Sequence, residues 1–388
     1  MVRIPMIVAT LAALAMGGTA AGLPVDVAPL AAPDAFSVAG RPTGLPADLW
    51  RAASAVTARA VLPRLAARPL SPAAAALARR ILATGAPGPA GSDAGMAGLR
   101  ASALLALGDA GAAAVILARA PGLGRSAELS RAAAESALVA GDDARSCAVA
   151  QALGVGRDDV YWLRLRSYCL ALAGETAQAQ LTFDLAQAQA RDPIYARLMT
   201  AKLAGGGGPG AASIRNGLDR ALSRSLGLAV EPAAGEPKGP TWDLTTLQDD
   251  IGGVAGIIAS GQAVPEGALG ALIQAAGDAD SKARGRLQSA ALLAAALSPQ
   301  LAPDDRARLA GFALAGGKAP AGRSLALDDA ASRKLMGETA LLVLWTAAEA
   351  GAAGPGVVDR AQIVRALAQV GLEADARAFA VEGLVALK

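Results

Sequence analysis

The sequence predicts an all-α protein built from an array of helical hairpins, and three observations predict it. A Gly-acid turn recurs as Leu107-Gly108-Asp109, Ala140-Gly141-Asp142 and Ala173-Gly174-Glu175, its glycines 33 residues apart each time, the mark of a structural repeat. Hydrophobic residues make up 53% of the 388-residue chain but aromatics only 3%; the bulk is alanine, which favours helix and lets helices approach closely. No stretch of useful length alternates apolar and polar residues as a half-buried strand would.

Taken in order, the first residues read as an export signal. Arg3 and the amino terminus supply positive charge, Ile7 to Met16 form an apolar run, and Thr19-Ala20-Ala21 offers small residues for cleavage near Ala20 or Ala21. The alternative is an uncleaved anchor, although the run is short for a membrane span and Gly17-Gly18 interrupts it. No other apolar stretch reaches membrane length unbroken, so no integral membrane segment is expected in the mature chain. Residues 22–46 carry Pro24, Pro29, Pro33, Pro42 and Pro46 and few large apolar side chains, predicting an extended leader with little to bury. From Ala47 the residues Leu49, Trp50, Ala53, Val56, Ala60 and Val61 recur at helical spacing, in a helix that Pro63 should kink or end. Ser71-Pro72 then starts a second helix, with serine at the cap and proline at the first position.

Each repeat reads as helix, Gly-acid turn, helix. Glycine accepts the positive φ of a tight reversal, and the acid beside it can cap the next helix. Gly108-Asp109 is followed by Ala113, Leu117 and Ala120, and Gly174-Glu175 by Ala179, Phe183 and Ala186, at matching offsets. This spacing resembles the second half of a tetratricopeptide repeat, over about residues 96 to 205. The resemblance implies a right-handed α-solenoid of helix hairpins, with small residues where paired helices meet and partners held on first-helix residues. Departures are a period of 33 instead of the usual 34, Ser146, Ala150 and Leu153 after Gly141, and no closing proline. A fourth unit starts at Asp192-Pro193, and the glycine run Gly205 to Gly208 loosens its turn ahead of Ile214, Leu218 and Leu222.

The repeat domain is placed at 47–227 and a proline-rich linker at 228–245. A C-terminal helical domain over 246–388 follows, with helices through Leu247 to Ile258, Leu269 to Ala276, Leu287 to Leu297, Leu335 to Ala350, Val358 to Val370 and Glu373 to Leu387. The last two meet at Gly371-Leu372-Glu373, a reduced form of the same turn.

The chemistry is narrowed chiefly by exclusion. With no histidine anywhere, triads that depend on it and His-ligated zinc or haem are ruled out. The 36 lysines and arginines against 33 acids are spread along the chain and give no basic stripe for a phosphate backbone, so no nucleic-acid partner is expected. No cofactor or metal motif appears. Cys147 falls on the second helix of one repeat and Cys169 on the first helix of the next, so they either join in a disulfide between neighbouring helices or pack as two buried thiols. Tyr161, Arg164 and Tyr168 form a stripe beside the core stripe of Trp162, Leu165, Cys169 and Leu172. Arg131, Arg164 and Arg197 share one repeat position. These three arginines with the two tyrosines make the candidate partner face, suited to carboxylates of a peptide or an acidic glycan, or else a solvated surface. The expected function is an exported, non-catalytic scaffold for a protein partner in the cell envelope. The alternatives are a carboxylate-based polysaccharide enzyme or glycan-binding accessory, and a structural assembly subunit. Glu135-Ser136 is similar to the Glu-Ser pair of lytic transglycosylases but lies in a repeat helix without catalytic-domain context.

Overall fold

The structure is a computed structural model and describes residues 36–231, 237–247 and 249–387. The export signal and the leader up to residue 35 lie outside the described residues. Among the described residues every regular element is a helix and none is a strand. The first ten helices are α1 (Ala55–Ala67), α2 (Pro72–Ala83), α3 (Ala94–Ala106), α4 (Ala110–Arg119), α5 (Ala127–Ala140), α6 (Asp143–Ala152), α7 (Val160–Leu172), α8 (Thr176–Gln189), α9 (Pro193–Leu203) and α10 (Gly217–Ser225). The remaining eight are α11 (Asp249–Ala259), α12 (Glu266–Asp278), α13 (Ser281–Leu297), α14 (Pro303–Ala310), α15 (Ala321–Ser332), α16 (Met336–Ala350), α17 (Val357–Gln369) and α18 (Glu373–Val385).

The recurring turn closes three hairpins in one way. Gly108, Gly141 and Gly174 take φ of 79°, 86° and 79°. The amide after each glycine donates to the carbonyl five residues back, Asp109 to Leu104, Asp142 to Ala137 and Glu175 to Leu170, the longer bond of a Schellman motif. Asp109 and Asp142 then cap the following helix through the amides of Ala112 and Arg145, whereas Glu175 makes no such bond. The same closure recurs in the C-terminal helices, as at Gly261, where the Gln262 amide donates to the Ile257 carbonyl. The Leu372 amide donates to the Leu367 carbonyl after Gly371, and the Leu335 amide donates to the Ala330 carbonyl after Lys334. Lys334 holds φ of 56° where the other turns place glycine.

Several expectations need correcting. The first helix begins at Ala55, capped by Ser54, and not at Ala47. Leu49 and Trp50 lie in the preceding turn, where Trp50 meets Phe36 edge-on and the Leu49 carbonyl accepts from the Gly337 amide. Pro63 does not end α1; it sits on the exposed side, so the backbone carbonyl it frees can meet water. The described part of the leader does have something to bury. Phe36 and Val38 are buried, and the buried Arg100 guanidinium of α3 donates to the carbonyls of Phe36, Val38, Leu82 and Thr84. Helices α14 and α15 and the first turns of α13 go beyond the sequence expectation. No residue of α14 is buried and α15 buries only Leu327, Ala330 and Ala331, so neither carries a readable apolar stripe.

Both halves of the chain contribute to one hydrophobic cluster running from Phe36 to Leu384. Helix α1 packs between α3 and α16, and α2 packs on α3, α16 and α18. Carboxylates from the C-terminal helices cap the N-terminal ones. Glu338 of α16 accepts from the Ser54 amide and the Thr57 hydroxyl at 2.8 Å each. Glu382 of α18 accepts from the Ala73 amide at 2.8 Å and pairs with buried Arg360 at 2.6 Å. Ser71 occupies the cap position expected of it, but its hydroxyl makes no capping bond and Glu382 serves instead.

Candidate partner-binding face

A second apolar cluster draws on α5 through α10 and holds two of the residues expected to meet a partner, Tyr161 and Tyr168. Asp159 caps α7 through the Tyr161 amide, and Asp192 caps α9 through the amides of Ile194 and Tyr195. These caps set the helix starts, and with them the faces on which Tyr161 and Tyr195 fall.

The expected face is present in register, with Arg131 exposed and Arg164 and Arg197 half-buried, but its two tyrosines are closed off from solvent. Tyr161 is 7% exposed and Tyr168 0%, so with α10 seated neither is open to solvent as the sequence suggested; the stripe extends the core instead of flanking it. Cys169 is only half-buried and Leu172 is exposed, so the core stripe is displaced toward the tyrosines. The arginine row also turns inward. Arg131 stacks over the Tyr161 ring at 4.5 Å and Arg164 over the Tyr195 ring at 5.3 Å. Arg164 further donates to the Ala190 carbonyl at 2.8 Å and meets Asp192 at 3.4 Å, while Arg197 donates to the Ala211 carbonyl at 2.8 Å. In the first two rungs, then, each arginine closes onto the next first helix.

Cys147 of α6 and Cys169 of α7 form a disulfide, with Cα atoms 5.7 Å apart. It staples adjacent hairpins and closes a loop with a sequence separation of 22 residues. Replacing both cysteines with serine is expected to cost about 3 kcal/mol of stability by the loop-entropy relation. Urea unfolding of the oxidised chain against the double variant checks this.

What covers the face is the chain itself. Helix α10 does not return beside α8; it packs on α5 and α9, and the Tyr168 hydroxyl of α7 donates to Asp143 at 3.1 Å and lies 3.4 Å from the Ala221 carbonyl. Leu218, Ala221 and Leu222 enter one apolar cluster with Ala134, Leu138, Tyr161, Tyr168 and Leu198. Gly217 makes the approach possible, because a Cβ there would lie 2.9 Å from the Glu135 carbonyl oxygen and 3.0 Å from Leu138 Cβ. Polar contacts fix the two ends. The Gly217 amide donates to Glu135 Oε2 at 2.5 Å, and Arg224 donates to Asp143 at 2.6 Å and to the Leu138 carbonyl at 3.3 Å. Within the segment Asn216 caps α10, and buried Asp219 accepts from Ser213 and Arg215 at 2.8 and 2.6 Å. Arg215 also bridges to Asp192 at 3.0 Å. Sequence reasoning marks Leu218 and Leu222 but not their destination, and Glu135 only beside Ser136; the residues it misses are Gly217, Ala221, Arg224 and Asp143. The signal for α10 is Asn216 at a cap followed by an apolar Leu218-Ala221-Leu222 face.

Electrostatics at this contact are dominated by burial. Burial pushes the Glu135 carboxyl above the usual carboxylate range, against the pull of the Gly217 amide and of Arg131. Burial likewise pushes the Tyr161 hydroxyl up, helped by the nearby Glu135 charge. Tyr168 shifts up through burial and Asp143. Despite burial, the Tyr195 amide and Arg215 hold Asp192 below the usual range. The docked state therefore binds the Glu135 proton more tightly than an undocked state would. Docking is strongest below the ordinary carboxyl range and weakens as pH rises through the elevated Glu135 value. Asp192 acts only at lower pH and the tyrosines only in alkali. The expected result is that α10 amide protection, corrected for intrinsic exchange, falls as pH rises from the carboxylate range toward neutrality. It should stay level in Glu135→Gln.

A cleft of about 540 Å³ lies elsewhere, at the amino ends of α3 and α5. Its charges are partly engaged internally, Arg59 with Asp93 at 2.7 Å and Glu128 with the Ser126 hydroxyl at 3.1 Å. The Met96 amide, aided by Arg59, holds Asp93 below the usual carboxylate range. No protein-family model matches the chain, nor does any curated protein or solved structure.

Proposed function

We propose that the chain is an exported helical-repeat adaptor that holds a helical segment of a protein partner on the α5–α7–α9 face and performs no chemistry of its own. In this reading residues 47–227 are a right-handed, tetratricopeptide-like solenoid, and the C-terminal helices buttress its first hairpin. The observation that carries it is the seating of an amphipathic helix, α10, on first-helix residues. This is the kind of contact by which grooves of helical proteins take up helical ligands. The recurring Schellman turn supports the repeat architecture. The disulfide supports an oxidising compartment and so export. No described helix is long and apolar enough to cross a membrane. The inward use of Arg131, Arg164 and Arg197 favours a protein segment over an acidic glycan, since these guanidiniums already have partners.

A photo-crosslinker placed at Arg131 of the full chain in its native cell envelope tests this, with one at exposed Leu181 of α8 as control. The reading expects a protein adduct from position 131, joined through a helical segment, and none from 181. Glycan adducts at 131, or equal protein adducts from both positions, would contradict it.

A further inference from the structure

Resting on that reading, we infer that α10 is a displaceable internal mimic of the partner, and that the partner presents a short amphipathic helix of pattern Gly-Leu-x-x-Ala-Leu-x-Arg. The pattern is Gly217, Leu218, Ala221, Leu222 and Arg224 as the face itself receives them. The position before the first leucine must be glycine, because any Cβ there meets the α5 backbone at the Glu135 carbonyl, 2.9 Å away. The leucines and the small residue between them fill the gap among Ala134, Leu138, Tyr161, Tyr168 and Leu198. The exposed amide at the start of the helix is received by Glu135, and a guanidinium in its last turn by Asp143. Both ends of the face thus carry a carboxylate, and each is matched to what a helix offers there.

Three features mark α10 as a ligand held by its own chain more than as a member of the array. It is nine residues long, and so short a helix depends on docking for its order. It is tethered by chain that reverses freely: Gly205, Gly206, Gly208 and Gly210 all take positive φ before it, and Gly227 does after it. It breaks the hairpin order, leaving α8 to pack on α7 and α9 without it. A partner helix then competes with α10, and its apparent affinity is scaled by the fraction of molecules in which α10 has left.

The test uses a fluorescent peptide of residues 211–230 added in trans to the oxidised full chain, read by anisotropy. Two variants free the face. Gly217→Ala brings a methyl against the α5 backbone while improving the intrinsic helix propensity of α10. Arg224→Glu opposes Asp143 without touching the apolar contact. Both are expected to bind the peptide about tenfold or more tightly than the unaltered chain, through loss of a charge-assisted bond or a close fit. A peptide that itself carries Gly217→Ala should not bind. Variants that keep native helicity yet fail to bind the peptide would overturn the inference, and so would an unaltered chain that binds equally well. Loss of native helicity in both variants would make α10 an integral helix and overturn it too. A dimer of the Gly217→Ala chain that the peptide dissociates would assign the face to a second copy, against a separate partner. Peptide binding without an adduct at position 131 leaves the mimic standing and removes the adaptor reading; an adduct without peptide binding does the reverse.

Discussion

Replacing Arg360 with methionine is expected to lower the unfolding free energy by about 3–5 kcal/mol, the range for stripping one partner from a buried ion pair. Arg360 is 2% exposed and Glu382 8%. The guanidinium meets Glu382 at 2.6 Å and also donates to the carbonyls of Pro355 and Phe379. Without it the Glu382 charge stays buried with the Ala73 amide as a donor at 2.8 Å. That amide begins α2, so the loss is transmitted to the junction where the C-terminal helices hold the first hairpins. The double variant Arg360→Met/Glu382→Gln should recover part of the loss, since no bare charge remains and glutamine still accepts from Ala73. Urea unfolding midpoints at constant slope check both.

The second large effect is expected at Arg100. This side chain is 0% exposed and donates to carbonyls of the leader (Phe36, Val38) and of α2 and its cap (Leu82, Thr84). Arg100→Met leaves these acceptors without the donor, at a cost of roughly 3 kcal/mol or more. It also removes the cation stacked 5.1 Å from the Phe36 ring. The leader should loosen before the rest of the chain does, so thermolysin cleavage around Val38 is expected to quicken under conditions where the helical signal is unchanged. Equal protease resistance in the two chains would show that Phe36 and Trp50 hold the leader without Arg100.

The repeat turns were legible in the sequence because glycine at positive φ and aspartate at a cap are local requirements, met by Gly108-Asp109 and Gly141-Asp142 within a few residues. The disulfide was legible as one of two readings, since the 33-residue ruler set Cys147 and Cys169 on neighbouring helices. Long-range choices were not legible. That Glu382 would cap α2 across 309 residues, or that Arg100 would gather leader carbonyls, leaves no periodic trace. The same limit misplaced the tyrosines. Spacing put Tyr161 and Tyr168 on a stripe beside the core, but a helix so placed is buried or exposed according to what lies on it, and α10 lies on this one. The glycine run before α10 reverses the chain at positive φ; where the segment after it goes depends on the face that receives it.

The most direct test of the helix-binding face is residue-resolved hydrogen exchange of the oxidised chain under native conditions. If α10 is a ligand held by its own chain, its amides will exchange through local opening, with protection well below that of α5, α7 and α9. Added urea will leave the α10 opening almost unaffected while it erodes the protection of the three helices beneath. Exchange of α10 in step with α5 and α7, at one common free energy and one urea dependence, would contradict the account and make α10 part of the fold it covers.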